Sequence, residues 1–218
     1  MHHHDAVRPP SPGLLGRLLG RGPAADFVES RQARDRRRKI AGSDSAERAA
    51  KMLCAPSALM QLTMDEALRV VSFMKPCRIP RGRTFIREGD ARHTDFMLLV
   101  LHGEVTVENL VVSRSEPLTA TVLGPGSIIG EIGLLDGAPR SASCIAMNDL
   151  RCAMLTREAL NELLDEDPRT AAKLMMAISL RIAQRMRETQ DKLKLYSQLT
   201  QAMNEEINEL MPHEALHH

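Results

Sequence analysis

The spacing of apolar residues changes twice along the chain, and this change limits the fold more than any other feature. From 57 to 74, and again after Leu155, apolar residues recur at the spacing of an α-helix. From Cys77 to Leu155 they form short runs separated by turn signals such as Gly124-Pro125-Gly126. Within Glu104–Leu110, valines alternate with polar residues, as in a strand with one buried face. The pattern predicts a compact β sandwich or barrel between helical segments.

Six strands and four helical segments follow from this pattern. The predicted strands are Thr84–Arg87, Phe96–Leu101, Val105–Val112, Leu118–Leu123, Ser143–Met147 and Cys152–Leu155. The predicted helical segments are 25–51, 57–74 with Thr63 as a possible N-cap, 157–165 after the N-cap Thr156, and 168–211.

The last predicted helix is longer than a single globular domain normally needs. Asp167-Pro168 is a strong start signal, and the helix can run unbroken until Pro212 stops it, about 66 Å at roughly 1.5 Å per residue. A heptad fits its second half, and we expect a homodimeric coiled coil. The alternative is a helix that folds back on its own domain. The seam positions are Met186, Leu193, Thr200 and Ile207, together with Ile182, Thr189, Tyr196, Met203 and Leu210.

Composition disfavours several classes of function. The chain has 29 Lys+Arg against 28 Asp+Glu, and only 2% of its residues are aromatic. A nearly neutral chain without aromatic platforms is poorly suited to coating nucleic acid or stacking single-stranded bases, so DNA binding is disfavoured. No apolar run is long enough to cross a membrane, and no secretory signal is evident. The four cysteines form no metal-type spacing, which favours reduced thiols and a cytoplasmic protein. No catalytic constellation stands out, so we expect no enzyme.

The segment from Gly126 to Ser143 carries the clearest chemistry. Gly126 and Gly130 allow close backbone approach. Glu131–Leu135 can form one helical turn whose free N–H groups suit an anion. Arg140 offers a planar donor fork for a phosphate, and the hydroxyl of Ser141 adds to it. Glu131 would repel that phosphate, so it is better suited to a sugar hydroxyl. The set indicates a sugar-phosphate ligand.

This segment closely resembles the phosphate-binding cassette of cyclic-nucleotide-binding domains. The matching residues are Gly130-Glu131-Ile132-Gly133-Leu134 and Pro139-Arg140-Ser141-Ala142-Ser143. The resemblance extends over roughly 55–190. It implies an α+β fold, with an eight-stranded antiparallel β-barrel or jelly roll flanked by helices and a long C-terminal dimerisation helix.

The resemblance also implies roles for the cassette residues. Glu131 would bind the ribose 2′-hydroxyl and Arg140 the cyclic phosphate. Ser141 would contact the phosphate or the base, and the amides of Gly130 and Ile132 would assist. Gly133 belongs to the same cassette.

Among the members of this family, the chain is most similar to the sensor half of catabolite activator protein-type regulators. Aligning the long helices places Arg181 at a position that supports the pocket in that subgroup. Where the subgroup carries Thr-Ser to contact adenine, this chain has Arg185-Met186. Arg185 stacking on a purine and Met186 packing on it is one interpretation; the other is that both face elsewhere. The expected ligand is cAMP, with cGMP as the alternative. Only seven residues follow Met211, too few for a helix-turn-helix domain.

These observations predict four regions. They are a flexible, partly helical arm at 1–50, a cyclic-nucleotide-binding domain at 51–166, the long helix at 167–211 and a tail at 212–218. The expected function is a dimeric sensor that signals to an unknown protein partner, with no metal and no cofactor besides its ligand. One alternative is a scaffold dimer that needs no nucleotide. The other is a protein that contacts nucleic acid through the basic run 31–39, which is otherwise interpreted as a solvated helix face.

Overall fold

A computed structural model describes residues 31–54, 62–109 and 118–210. The predictions for residues 1–30, for the start of the second helical segment, for the end of the predicted strand Val105–Val112 and for the tail after residue 210 lie outside these ranges. The helices are α1 (Arg31–Ile40), α2 (Asp44–Leu53), α3 (Met64–Ser72), α4 (Glu131–Asp136), α5 (Arg157–Glu166) and α6 (Pro168–Leu210). The strands are β1 (Lys75–Ile79), β2 (Thr84–Ile86), β3 (Phe96–His102), β4 (Val105–Asn109), β5 (Leu118–Leu123), β6 (Ile128–Ile129), β7 (Ser143–Ala146) and β8 (Leu150–Thr156).

The eight strands form two antiparallel sheets of four. Their orders are β1-β8-β3-β6 and β2-β7-β4-β5. The prediction of a mixed α+β fold with antiparallel sheets and a long C-terminal helix is confirmed. The described strands do not close into one eight-stranded barrel, because the hydrogen-bond ladders group them into two separate sheets.

The first sheet lies between the helices and the second sheet. In β3, Met97 and Leu99 pack into the core beneath the helices, whereas Leu98 and Val100 pack into the core between the sheets. All four side chains are at most 2% exposed. Successive side chains of a strand point to opposite faces, so an almost continuously apolar strand such as β3 is buried on both sides.

The predicted helical segment 25–51 is interrupted. Where the structure describes this segment, α1 ends at Ile40 and α2 begins at Asp44. Gly42 lies between them with a φ of +73°, a left-handed conformation that ends a helix. Arg36 belongs to the basic run but serves the fold: it pairs with Glu162 and Glu166 of α5 and lies 4.1 Å over the Phe73 ring.

The long helix α6 has a buried base and an exposed remainder. It begins at Pro168 as predicted, and the Asp167 carboxylate caps it by accepting the Thr170 amide hydrogen at 3.1 Å. Leu174 and Ile178 are buried in the helical core. From residue 184 to residue 207 every side chain is exposed. In a single chain, most of the predicted coiled-coil seam therefore faces solvent.

Candidate functional site

The site is built around the turn from β6 into α4. Gly130 occupies this turn with a φ of +81°. A Cβ atom there would lie 2.7 Å from Nη1 of Arg140 and 3.1 Å from the Phe96 carbonyl oxygen. A Cβ on Gly133 would lie 2.9 Å from the same Nη1 atom. Gly130 is thus needed for its backbone conformation and for the space it leaves, and Gly133 for space only.

Arg140 holds the turn together from inside. Its side chain donates hydrogen bonds from Nε to the carbonyl oxygen of His93 (2.9 Å), from Nη1 to that of Gly130 (2.8 Å) and from Nη2 to that of Phe96 (3.0 Å). The guanidinium carbon also lies 4.6 Å from the centre of the Phe96 ring. The residue is only 5% exposed. Burial lowers the pKa of the guanidinium, but an arginine starts so high that it stays charged.

The three carbonyl acceptors do not use all the hydrogen-bond donors of Arg140. A guanidinium carries five N–H groups, so two remain for another acceptor. Arg140 lines a cleft of about 480 Å³, part of it open to solvent. The cleft is also lined by the other cassette residues that were predicted as site residues: Gly130, Glu131, Ile132, Gly133 and Ser141.

Glu131 connects this cleft to the long helix. It is the first residue of α4, and its side chain is only 6% exposed. Its Oε1 accepts a hydrogen bond from Nη1 of Arg185 at 2.8 Å. Arg185 comes from α6, and its side chain is 49% exposed. A buried carboxylate needs such a partner, and here the partner lies on a different element.

A second cavity lies beside the first, against α6; its volume is about 690 Å³, part of it open to solvent. Glu131 and Arg185 line both cavities and therefore mark the boundary between them. Arg181 lines the second cavity and donates a hydrogen bond to the Gly126 carbonyl oxygen at 2.9 Å. Burial lowers the pKa of Arg181, while the charge of Glu131 opposes this effect. The cavity also contains Leu123, Ser127, Ile128, Ile178, Gln184 and Glu188.

Comparison with known proteins accounts for this arrangement. The family model described as "Cyclic nucleotide-binding domain" matches residues 76–167, from β1 to the end of α5. A crystal structure of a cyclic nucleotide-binding domain from Methylobacillus flagellatus is 30% identical and superimposes with a TM-score of 0.63. The match covers 69% of this chain and 83% of that one. The chain belongs to the cyclic nucleotide-binding domain family.

Two further relatives of this cyclic nucleotide-binding domain are longer bacterial proteins. The CRP-like cAMP-activated global transcriptional regulator of Mycobacterium tuberculosis is 27% identical over 138 residues, 63% of this chain and 55% of the regulator. The crystal structure of the Thermus thermophilus catabolite activator protein is 29% identical with a TM-score of 0.55, covering 62% of this chain and 61% of the other. The chain thus spans somewhat more than half the length of each regulator.

The structure brings together eight of the nine predicted site residues. The exception is Met186, which is 61% exposed and lines neither cavity, because its position on α6 turns it away from the cassette. Ile132 lines the first cavity although it is 38% exposed. The Arg185 guanidinium is engaged with Glu131, so in this conformation it is not free to stack on a base.

Cys144 and the carbonyl acceptors around Arg140 were not predicted from the sequence. Cys144 lines the first cavity, and burial raises the pKa of its thiol to about 12. The carbonyls of His93 and Phe96 leave no sequence signal, because any residue type supplies the same acceptor.

Within residues 31–54, 62–109 and 118–210, no group of three or more His, Cys, Asp or Glu side chains is placed to hold a metal ion. Within the same residues no helix is both long and apolar enough to cross a membrane.

Proposed function

We propose that this chain is a cyclic-nucleotide sensor without enzymatic activity of its own, and that it prefers cAMP over cGMP. The observation that carries the proposal is the convergence of Glu131, Arg140 and Ser141 on one cleft. A buried acid, a buried guanidinium and a hydroxyl supply the acceptors and donors that a ribose phosphate requires.

The phosphate and the ribose would bind in the first cavity. The two free N–H groups of Arg140 and the hydroxyl of Ser141 suit the cyclic phosphate. Glu131 accepts but does not donate hydrogen bonds when ionised, so it suits the ribose 2′-hydroxyl and not the phosphate. The amides of Gly130 and Ile132 would complete the phosphate contacts.

The base would bind in the second cavity, against α6. The apolar side chains of Leu123, Ile128 and Ile178 line it, and Arg181 adds a polar edge. The described lining contains no aromatic side chain, so an aliphatic pocket would hold the purine. The preference for cAMP rests on the likeness to regulators of the catabolite activator type.

The exposed part of α6 would form a homodimer and carry the ligand signal to a protein partner. Leu193, Tyr196, Met203 and Ile207 are each more than half exposed, and they share the predicted seam. A helix with a sustained heptad buries such a seam against a second copy. A cytoplasmic location and the division into domains at 51–166 and 167–211 belong to the same proposal.

Calorimetric titration of the full chain with cAMP, cGMP and a cyclic dinucleotide tests the ligand. We expect the tightest binding for cAMP. In Glu131→Gln, the affinity for cAMP falls while that for 2′-deoxy-cAMP stays nearly unchanged, because only the ribonucleotide has the hydroxyl that Glu131 accepts. The matched control is Glu104→Gln, at an exposed turn. If the native chain binds none of the three nucleotides, or if Glu131→Gln weakens both cAMP ligands equally, the site assignment is wrong.

Sedimentation of the full chain tests the dimer. Leu193→Glu places a charge in the seam, and we expect it to shift the protein from dimer to monomer at micromolar concentration. Lys192→Glu also adds a negative charge one position away, outside the seam, and should remain dimeric. A Leu193→Glu variant as dimeric as the Lys192→Glu variant would exclude the coiled coil.

A further inference from the structure

The ion pair between Glu131 and Arg185 lies where the two cavities meet. Both residues line both cavities, and their atoms approach to 2.8 Å. In the described part of the chain, Arg185 is the side-chain partner that the structure records for the Glu131 carboxylate. A hydroxyl that binds Oε1 of Glu131 therefore approaches an oxygen that Arg185 already contacts.

The two partners differ sharply in burial. Glu131 is fixed at the start of α4 with its side chain 6% exposed, so it cannot turn into solvent. Arg185 has a long side chain on the surface of α6 and is 49% exposed. A half-exposed arginine loses little when it exchanges a carboxylate for water, because exposed ion pairs are weak. Arg185 is thus the partner that can leave.

The pair is also one of few polar links between α6 and the cassette region. Two hydrogen bonds connect this part of the helix to the segment between β5 and α4 where both are described: Arg185 to Glu131, and Arg181 to the Gly126 carbonyl oxygen. If Arg185 leaves Glu131, one of these two hydrogen bonds is lost. A change of partner at the Glu131 carboxylate therefore directly removes a contact of α6.

We infer that Arg185 competes with the nucleotide for Glu131. The inference rests on the proposed function and names its regulation. The ribose 2′-hydroxyl replaces the Arg185 guanidinium on the carboxylate, and Arg185 turns to solvent. Nucleotide binding then breaks the ion pair that links α6 to α4. In the free chain, this contact must be broken before Glu131 can bind the ribose.

Full-length Arg185→Gln tests this competition by calorimetry. We expect about twofold to fivefold tighter binding of cAMP, since an ion pair with one exposed partner no longer has to be broken. Binding of 2′-deoxy-cAMP should not change, because it does not use Glu131. Arg187→Gln makes the same charge change at an exposed position of α6 that lines neither cavity, and should bind both ligands as the native chain does.

A second readout follows the Arg185 side chain. Modification of Arg185 by phenylglyoxal, mapped by mass spectrometry, should speed up in the native chain when cAMP is added, and should not change when 2′-deoxy-cAMP is added. Weaker binding of both nucleotides by Arg185→Gln would overturn the competition and favour stacking on the purine. Equal behaviour of Arg185→Gln and Arg187→Gln in a chain that binds cAMP would also overturn it, leaving the proposed function intact. A native chain that binds no cyclic nucleotide would overturn both.

Discussion

Replacing Gly130 by alanine tests how closely Arg140 packs against the backbone. The φ of +81° costs a residue with a Cβ about 1–2 kcal/mol. The new Cβ would lie 2.7 Å from Nη1 of Arg140, which must move away from the Gly130 carbonyl oxygen it now contacts at 2.8 Å. A hydrogen bond to a charged group contributes about 1.5–3 kcal/mol. Together these effects predict a loss of about 2.5–5 kcal/mol in the free energy of unfolding.

Gly89 provides the control for the backbone effect. Its φ is +79°, and a Cβ there would meet nothing within 4 Å. Gly89→Ala should therefore lose only about 1–2 kcal/mol. The difference between the two variants reports the close contacts of the new Cβ, of which the contact with Arg140 is the tightest, and should be about 1.5–3 kcal/mol.

Urea unfolding at one fixed protein concentration measures both variants. The chain has no Trp and one Tyr, so helical circular dichroism is a better signal than fluorescence. Fixed concentration matters because any dimer makes stability concentration-dependent. If Gly130→Ala and Gly89→Ala differ by less than about 0.5 kcal/mol, the space left by Gly130 does not serve Arg140, and the reasoning fails.

Two further predictions concern titratable groups. Burial acts to raise the pKa of Glu66, but hydrogen bonds and attraction from Lys173, at 2.5 Å, lower it overall. A lowered pKa stabilises the fold above the unfolded value of about 4.3, and this stability is lost as pH falls through the folded pKa. Glu66→Gln should therefore unfold with a flatter pH dependence below about pH 4.3 in acid titrations followed by circular dichroism. Burial raises the pKa of Cys144 and Cys152 to about 12, so iodoacetamide at neutral pH should modify both far more slowly than half-buried Cys77. Equal alkylation rates for the three thiols by mass spectrometry would contradict their burial.

Local signals in the sequence predicted much of the fold. Thr63, Thr156 and Asp167 each mark a helix start, because a cap depends only on residues within one turn. Strand β1 was not predicted, because a proline such as Pro76 is unusual within a strand. Proline is tolerated there because β1 is an edge strand of its sheet. Strand β6 has only two residues, which is too short for any alternation to show.

The site also has a part that could be predicted from sequence and a part that could not. Cassette residues such as Gly130 and Arg140 are close in the chain, so the sequence indicates that they lie close together in the structure. The pair of Glu131 and Arg185 bridges 54 positions and exists only because α6 packs across the cassette. From sequence, Arg185 was assigned to a base or to solvent, because nothing local connects it with a particular carboxylate.

The length of α6 gives small movements at its buried end a large reach. From Arg185 to Leu210 the helix extends about 38 Å, at roughly 1.5 Å per residue. Over that length, a tilt of about 10° pivoting near Arg185 displaces the far end by about 7 Å. With such a tilt, α6 would transmit a rearrangement the size of one side chain beside the cassette as a displacement of its far end that exceeds the rise of one helical turn.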